Sequence, residues 1–120
     1  MGIPASFPEF SESDLALAHA CLKERFGRDI EVQIVETEIR LSQGDRELAL
    51  CPALYWKEDG CAFVLSKTGL AAYRAMFFYS VKDRFGTGQE DYDNLGDCLI
   101  TLLKVQEDAH AKRAAETGNR

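Results

Sequence analysis

Four cysteines and two histidines are the residues of this chain best suited to chemistry, so their spacing limits what the protein can do. No two cysteines have the short C-x-x-C separation typical of zinc ligands or redox pairs, and each lies within an apolar run. A chain that builds its own core rarely needs disulfides. We therefore predict four reduced, buried and slowly reacting thiols and no metal site. The cysteines are Cys21, Cys51, Cys61 and Cys98.

The acidic loop before the last predicted helix has two features that resemble ligand-binding motifs. Asp91 to Gly96 begins like a calcium-binding EF-hand loop, but Leu95 and Leu102 stand where that loop needs oxygen ligands. Gly86-Thr87-Gly88 resembles a phosphate loop, yet only acidic charges follow it as far as Asp97, and these would repel phosphate. Helix capping explains the first feature, and at the second we expect no nucleotide binding. We predict no cofactor and no metal, and the catalytic residues stay unknown.

Composition and charge exclude several classes of function. The 120 residues suffice for one domain, and the formal net charge of −6 argues against binding to nucleic acid or to an anionic membrane. A basic partner, or a neutral apolar one, fits the net charge better. The sequence has no apolar run of about 18 residues and no secretory signal pattern at its start, so we expect a cytoplasmic protein outside the membrane.

The first predicted element is a helix that begins after Ser11 and ends at Gly27. Ser11 and Asp14 have capping-box spacing, and Phe10 and Leu15 are placed to form a hydrophobic staple. Gly27 can take the left-handed conformation that terminates a helix. The residues before it, 1–10, are predicted to form an extended arm that packs its aromatic side chains on the core.

Residues 30–66 alternate between apolar and polar types and predict an antiparallel sheet of three to four strands. The alternation changes phase near Ile34–Glu36, which predicts a β-bulge or a tight turn, and we favour a bulge in one long strand. Ser42–Asp45 and Lys57–Gly60 have turn compositions, and the second turn would set Trp56 opposite Cys61 and Leu54 opposite Phe63. Pro52 predicts an edge or a bend. The last two strands are apolar on both faces, so we expect them to be central or covered on both sides.

Two C-terminal helices are predicted to pack on this sheet. The first runs from Thr68 to Phe85 on the spacing of its aromatic residues, although a strand through Ala75–Tyr79 competes with it. The second begins near Thr87 or Asp91 and ends near Ala115. The fold class is thus α+β, with one domain over residues 1–115 and a disordered tail over 116–120.

Aromatic and apolar residues near the middle of the second predicted helix exceed what one buried face can hold. Either another chain or the last helix must cover the excess, so these residues are the candidate interface. They are Tyr73, Met76, Phe77, Phe78 and Tyr79.

Two hypotheses of function follow from these patterns. The first is a small acidic protein-interaction module, such as an adaptor, an inhibitor or a chaperone-like protein, that binds a protein partner or forms a homodimer. The alternative is a small enzyme or ligand-binding domain with a pocket between sheet and helices, for which His19, Cys61 and Tyr55 are the candidate residues. The lack of catalytic signatures favours the first hypothesis, so an enzyme is the less favoured reading.

Overall fold

A five-stranded antiparallel sheet with a helix at each end of the chain forms the fold. The computed structural model describes residues 8–39, 49–58, 60–80, 82–89 and 91–118. The strands pair in chain order, β1 to β5, with each strand antiparallel to the next. The elements are α1 (Glu12–Phe26), β1 (Gln33–Ile39), β2 (Ala49–Glu58), β3 (Cys61–Gly69), β4 (Ala72–Phe78), β5 (Arg84–Gly86) and α2 (Leu95–Gly118).

The α+β class is confirmed, but the predicted number and placement of elements were partly wrong. The described residues form five strands rather than three to four, and no helix occupies the described part of Thr68–Phe85. That segment forms the end of β3, then β4 and β5, so the competing strand prediction through Ala75–Tyr79 was closer. Helix and strand periods both fit this segment, because residues on both of its faces are apolar.

Helix α1 is built as its sequence predicts. The Asp14 amide donates to Ser11 Oγ at 3.0 Å, and the Ser11 amide donates to Asp14 Oδ2 at 2.9 Å, which completes the capping box. Gly27 closes the helix at φ 75°, a conformation that costs glycine little. Phe10 and Leu15 are partly buried against the core, as the staple requires.

Strand β1 pairs with β2 without a shift of register, so the bulge predicted at Ile34–Glu36 is wrong. The change of phase arises because apolar residues occupy both faces of β1, with Ile34 on one and Val35 on the other. Pro52 pairs with Glu36 of β1, and the ladder between β2 and β3 begins only at Ala53. The missing proline amide is therefore tolerated inside a central strand. The turn predicted at Ser42–Asp45 lies outside the described residues.

The hairpin between β2 and β3 forms where predicted, but with a tighter turn. Glu58 pairs with Cys61, Trp56 with Phe63, and Leu54 with Leu65, so the predicted pairs were shifted by two residues. The central position of both strands is confirmed.

Helix α2 begins later and ends later than predicted. The Asp97 amide donates to Asn94 Oδ1 at 3.0 Å, which makes Asn94 the N-cap residue of α2. Thr87 instead accepts a hydrogen bond from the Tyr92 hydroxyl at 2.6 Å within the preceding loop. The helix continues to Gly118, three residues beyond Ala115. The domain limits and the disordered tail stay predictions.

Both helices pack on the same face of the sheet, which we call the helix-covered face. Ala18 and Leu22 of α1 and Leu99 and Leu102 of α2 share one buried cluster with the large side chains of β2, β3 and β4. An aromatic row of directly paired residues from neighbouring strands crosses this cluster, and its last member, Phe85, is partly exposed at the edge. The aromatic row consists of Trp56, Phe63, Phe77 and Phe85.

A buried ion pair joins the start of α1 to the sheet. Lys67 of β3 is almost fully buried, and its Nζ lies 2.9 Å from Asp14 Oδ2 and 3.0 Å from the Glu9 carbonyl oxygen. The rings of Phe10 and Tyr73 flank the ammonium at 5.8 and 5.9 Å. This arrangement compensates the lysine charge inside the domain.

Candidate functional site

The face of the sheet opposite the helices, which we call the outer face, contains a continuous apolar surface. Successive side chains of a strand point to opposite faces, and residues paired across neighbouring strands share a face. The outer face therefore consists of the strand residues that alternate with the core residues. One cross-strand row is Lys57, Ala62, Phe78 and Arg84. The next is Gln33, Tyr55, Val64, Met76 and Gly86. A third is Val35, Ala53, Ser66 and Arg74, beyond which Thr37 pairs with Cys51.

No described helix or strand packs against the outer face. Its small residues, such as Ala53 and Ala62, are buried between their neighbours, whereas its large apolar side chains are only half-buried. A soluble antiparallel sheet with one solvated face normally alternates apolar and polar residues. Here the second face is apolar as well. The half-buried large residues are Val35, Tyr55, Val64, Met76 and Phe78.

The five residues of the predicted interface divide between the two faces. Tyr73 and Phe77 are buried in the core on the helix-covered face, and Tyr79 packs beside them. Met76 and Phe78 lie on the outer face. Sequence reasoning missed the rest of this surface because it treated β4 as a helix, in which these five positions would surround one axis.

The three residues of the predicted pocket are not all brought together. Tyr55 and Cys61 line an open concavity of about 650 Å³ beside the hairpin between β2 and β3. His19 lies exposed on α1 and does not line this concavity. Phe78 and Ala62 contribute apolar surface to the concavity, and Lys57 also lines it. Glu58, which pairs with Arg28, lines the concavity as well, so an apolar group bound there would lie beside charges of both signs.

The acidic residues of the strands all lie on one face. Among the described strand residues, the acidic side chains Glu36, Glu38 and Glu58 have the parity of the helix-covered face. The outer face has three cations, Lys57, Arg74 and Arg84, and no Asp or Glu at its described strand positions. Arg74 Nε donates to Asp91 Oδ1 at 2.6 Å, and within the described residues no ion pair engages Lys57 or Arg84. A locally cationic surface thus lies on a protein of net charge −6.

Three of the thiols have raised pKa values that make them poor nucleophiles. Burial raises the pKa of Cys98 to about 12. Burial also raises the pKa of Cys51, against a smaller lowering by its hydrogen bond to Ser66 and the charge of Arg74. Burial and the nearby charge of Glu24 raise the pKa of Cys21. All four cysteines are free, and Cys21 alone is not fully buried.

We expect iodoacetamide to label Cys21 first and Cys51 and Cys98 only when the protein unfolds. A pKa near 12 leaves Cys98 roughly a thousandfold less thiolate at neutral pH than an ordinary cysteine has. Timed labelling followed by peptide mass spectrometry measures the order, and urea-denatured protein supplies the control in which all four label alike. Labelling of Cys98 in the native protein at the denatured rate would contradict this expectation.

Within the described residues, no three His, Cys, Asp or Glu side chains converge in a group that could hold a metal ion. The same part of the chain contains no helix with the length and apolarity needed to cross a membrane.

Comparison with known proteins adds no assignment to this geometry. No protein-family profile matches the sequence, and searches of curated proteins and of solved structures found no match.

Proposed function

We propose that the protein is a small acidic protein-interaction module, of the adaptor, inhibitor or chaperone-like kind, which binds a protein partner or a second copy through the outer face. The observation that supports this proposal is an apolar sheet face on which no described element packs. Large apolar residues on both faces of one sheet are typical of strands that are covered twice. A bound protein supplies the second cover.

Burial of the outer face would contribute useful binding energy. Its five large apolar side chains are already half-buried, so each contributes on the order of 1 kcal/mol when a partner removes the remaining surface from water. The sum is enough to offset part of the cost of association. A cytoplasmic location, where reduced thiols are stable, is part of the same proposal.

A ligand-binding domain is the second candidate, because Tyr55 and Cys61 both line the concavity. The concavity is open rather than enclosed, and His19 lies elsewhere on α1. A small ligand there would be held by apolar contacts beside the charges of Lys57 and Glu58.

We expect Met76→Glu to weaken association through the outer face. The substitution places an anion among apolar side chains that a partner would desolvate, so binding should weaken at least tenfold, a loss of about 1.4 kcal/mol or more. Size-exclusion chromatography with light scattering measures self-association. Affinity capture from the native host, compared between wild type and variant, measures partner binding.

The matched control is Ile100→Glu on α2, which changes the same charge at an apolar side chain that is 61% exposed. Circular dichroism would show that both variants fold. Loss of association in Ile100→Glu but not in Met76→Glu would move the interface to the helices. The proposed function would be contradicted by two results together. The wild-type protein would stay monomeric, and it would capture the same proteins as the Met76→Glu variant.

A further inference from the structure

The row Lys57, Ala62, Phe78 and Arg84 crosses four neighbouring strands of the outer face and places a cation at each end of an apolar floor. Each residue is directly paired with the next, so the four side chains lie side by side rather than staggered. Lys57 and Arg84 are both exposed, whereas Ala62 is buried and Phe78 half-buried. Lys57, Ala62 and Phe78 also line the concavity, whereas Arg84 lies outside it. We call these four residues the cationic row.

Resting on the proposed function, we propose that the outer face binds an extended segment of another protein in which one apolar side chain lies between two carboxylates. The apolar side chain would contact Phe78 and Ala62 in the concavity, and the carboxylates would pair with Lys57 and Arg84. The net charge of the chain suggested a basic or neutral partner. The charge of the partner is instead set by the local charge of the binding face, because exposed charges separated by more than about 8 Å are largely screened in physiological salt.

The width of the cationic row sets the spacing of the segment. Neighbouring strands lie about 4.8 Å apart, so the backbones at Lys57 and Arg84 are separated by three such steps, about 14 Å. An extended chain advances about 3.4 Å per residue, and alternate residues point to the same side. Carboxylates four residues apart therefore span the row, and the residue midway between them points at Phe78. The predicted pattern is acidic, any, apolar, any, acidic.

A second copy of this chain fits the outer face less well. In a two-fold dimer the same surface meets itself, so Lys57 and Arg84 would face a surface with the same two cations. No Asp or Glu at a described strand position of the face could neutralise the cations across such an interface. The like charges would oppose pairing, whereas an acidic segment satisfies Lys57 and Arg84 together.

A fluorescently labelled, capped peptide with the pattern Glu-Thr-Phe-Thr-Glu tests the proposal by anisotropy titration with the full chain. We expect saturable binding that weakens as salt is added. The same peptide with lysines in place of both glutamates should bind roughly tenfold more weakly, since each exposed ion pair contributes a modest share of the affinity. A peptide of identical composition with the two glutamates adjacent should also bind more weakly, since it cannot reach both cations.

The variant K57E/R84E should reverse the preference and bind the lysine peptide more tightly. The control Lys104→Glu changes an exposed cation on α2 and should leave the preference unchanged. Equal binding of the acidic and basic peptides, or a preference that survives in K57E/R84E, would overturn this inference. Self-association that Met76→Glu weakens, without peptide binding, would also overturn it while leaving the proposed function intact. If neither self-association nor peptide binding were observed, the proposed function would be contradicted as well.

Discussion

Replacing Phe77 with alanine is expected to lower the free energy of unfolding by about 3–5 kcal/mol, the range for a fully buried phenylalanine. Phe77 is completely buried and stands at the middle of the aromatic row. Its ring centroid lies 6.2 Å from that of Phe63 and 5.3 Å from that of Phe85. Alanine would leave a cavity where β3, β4 and β5 meet the helices. A domain of this size is typically stable by about 5–15 kcal/mol, so the loss is a large part of the total.

Phe85→Ala is the matched control, because Phe85 stacks on Phe77 in the same row but is 41% exposed. We expect it to cost only about 1 kcal/mol, since water already reaches much of its surface. Urea denaturation followed by tryptophan fluorescence measures both variants, and Trp56 in the same row reports on the core. Equal losses in the two variants, or a Phe77→Ala protein as stable as wild type, would mean that the aromatic row is not the centre of the core.

The parts of the fold that could be predicted are those whose local chemistry has one reading. Ser11, Asp14 and Gly27 are residues that a helix needs at its ends, and α1 begins and ends with them. Lys57–Gly60 has turn composition, and a hairpin forms there. The exact pairing was missed because the strands continue into the turn, where Gly60 takes φ 74°.

The parts that could not be predicted are those in which both faces of a strand are apolar. In β4, Tyr73 and Phe77 point to the helices while Met76 and Phe78 point away, so the sequence has no polar alternation and matches a helical stripe equally well. In β1, Ile34 and Val35 face opposite sides, and their adjacency imitates a bulge. The apolar second face has two consequences. It removes the alternation by which a strand is distinguished from a helix in sequence, and it forms the proposed binding surface.

The cationic row was beyond sequence reasoning for a different reason. Lys57, Ala62, Phe78 and Arg84 are spread over 28 positions of the chain, and only the pairing of β2 through β5 places them side by side. The net charge of the chain can be read from the sequence, but it is negative, whereas the charge of this row is positive.

Replacing Lys67 with methionine is expected to lower the free energy of unfolding by about 2–3 kcal/mol near neutral pH. Methionine fills a similar volume but leaves the Asp14 carboxylate, only 17% exposed, without the cation 2.9 Å away. Burial raises the pKa of Asp14, but the hydrogen bond from the Ser11 amide and the hydrogen bond and charge of Lys67 together lower it below its ordinary 3.8. The folded state therefore favours the ionised carboxylate.

The sign of that shift sets the pH dependence of the substitution. Because the folded pKa of Asp14 lies below the unfolded one, its contribution is fully present above the unfolded pKa of about 4 and is lost as the pH falls through the folded pKa. The difference between wild type and Lys67→Met should thus be largest above about pH 5 and shrink toward pH 3. Urea denaturation across this range measures it, with the exposed Lys104→Met as the control expected to stay near zero. If the difference were constant with pH, Lys67 would stabilise the fold by packing between Phe10 and Tyr73 rather than through its charge on Asp14.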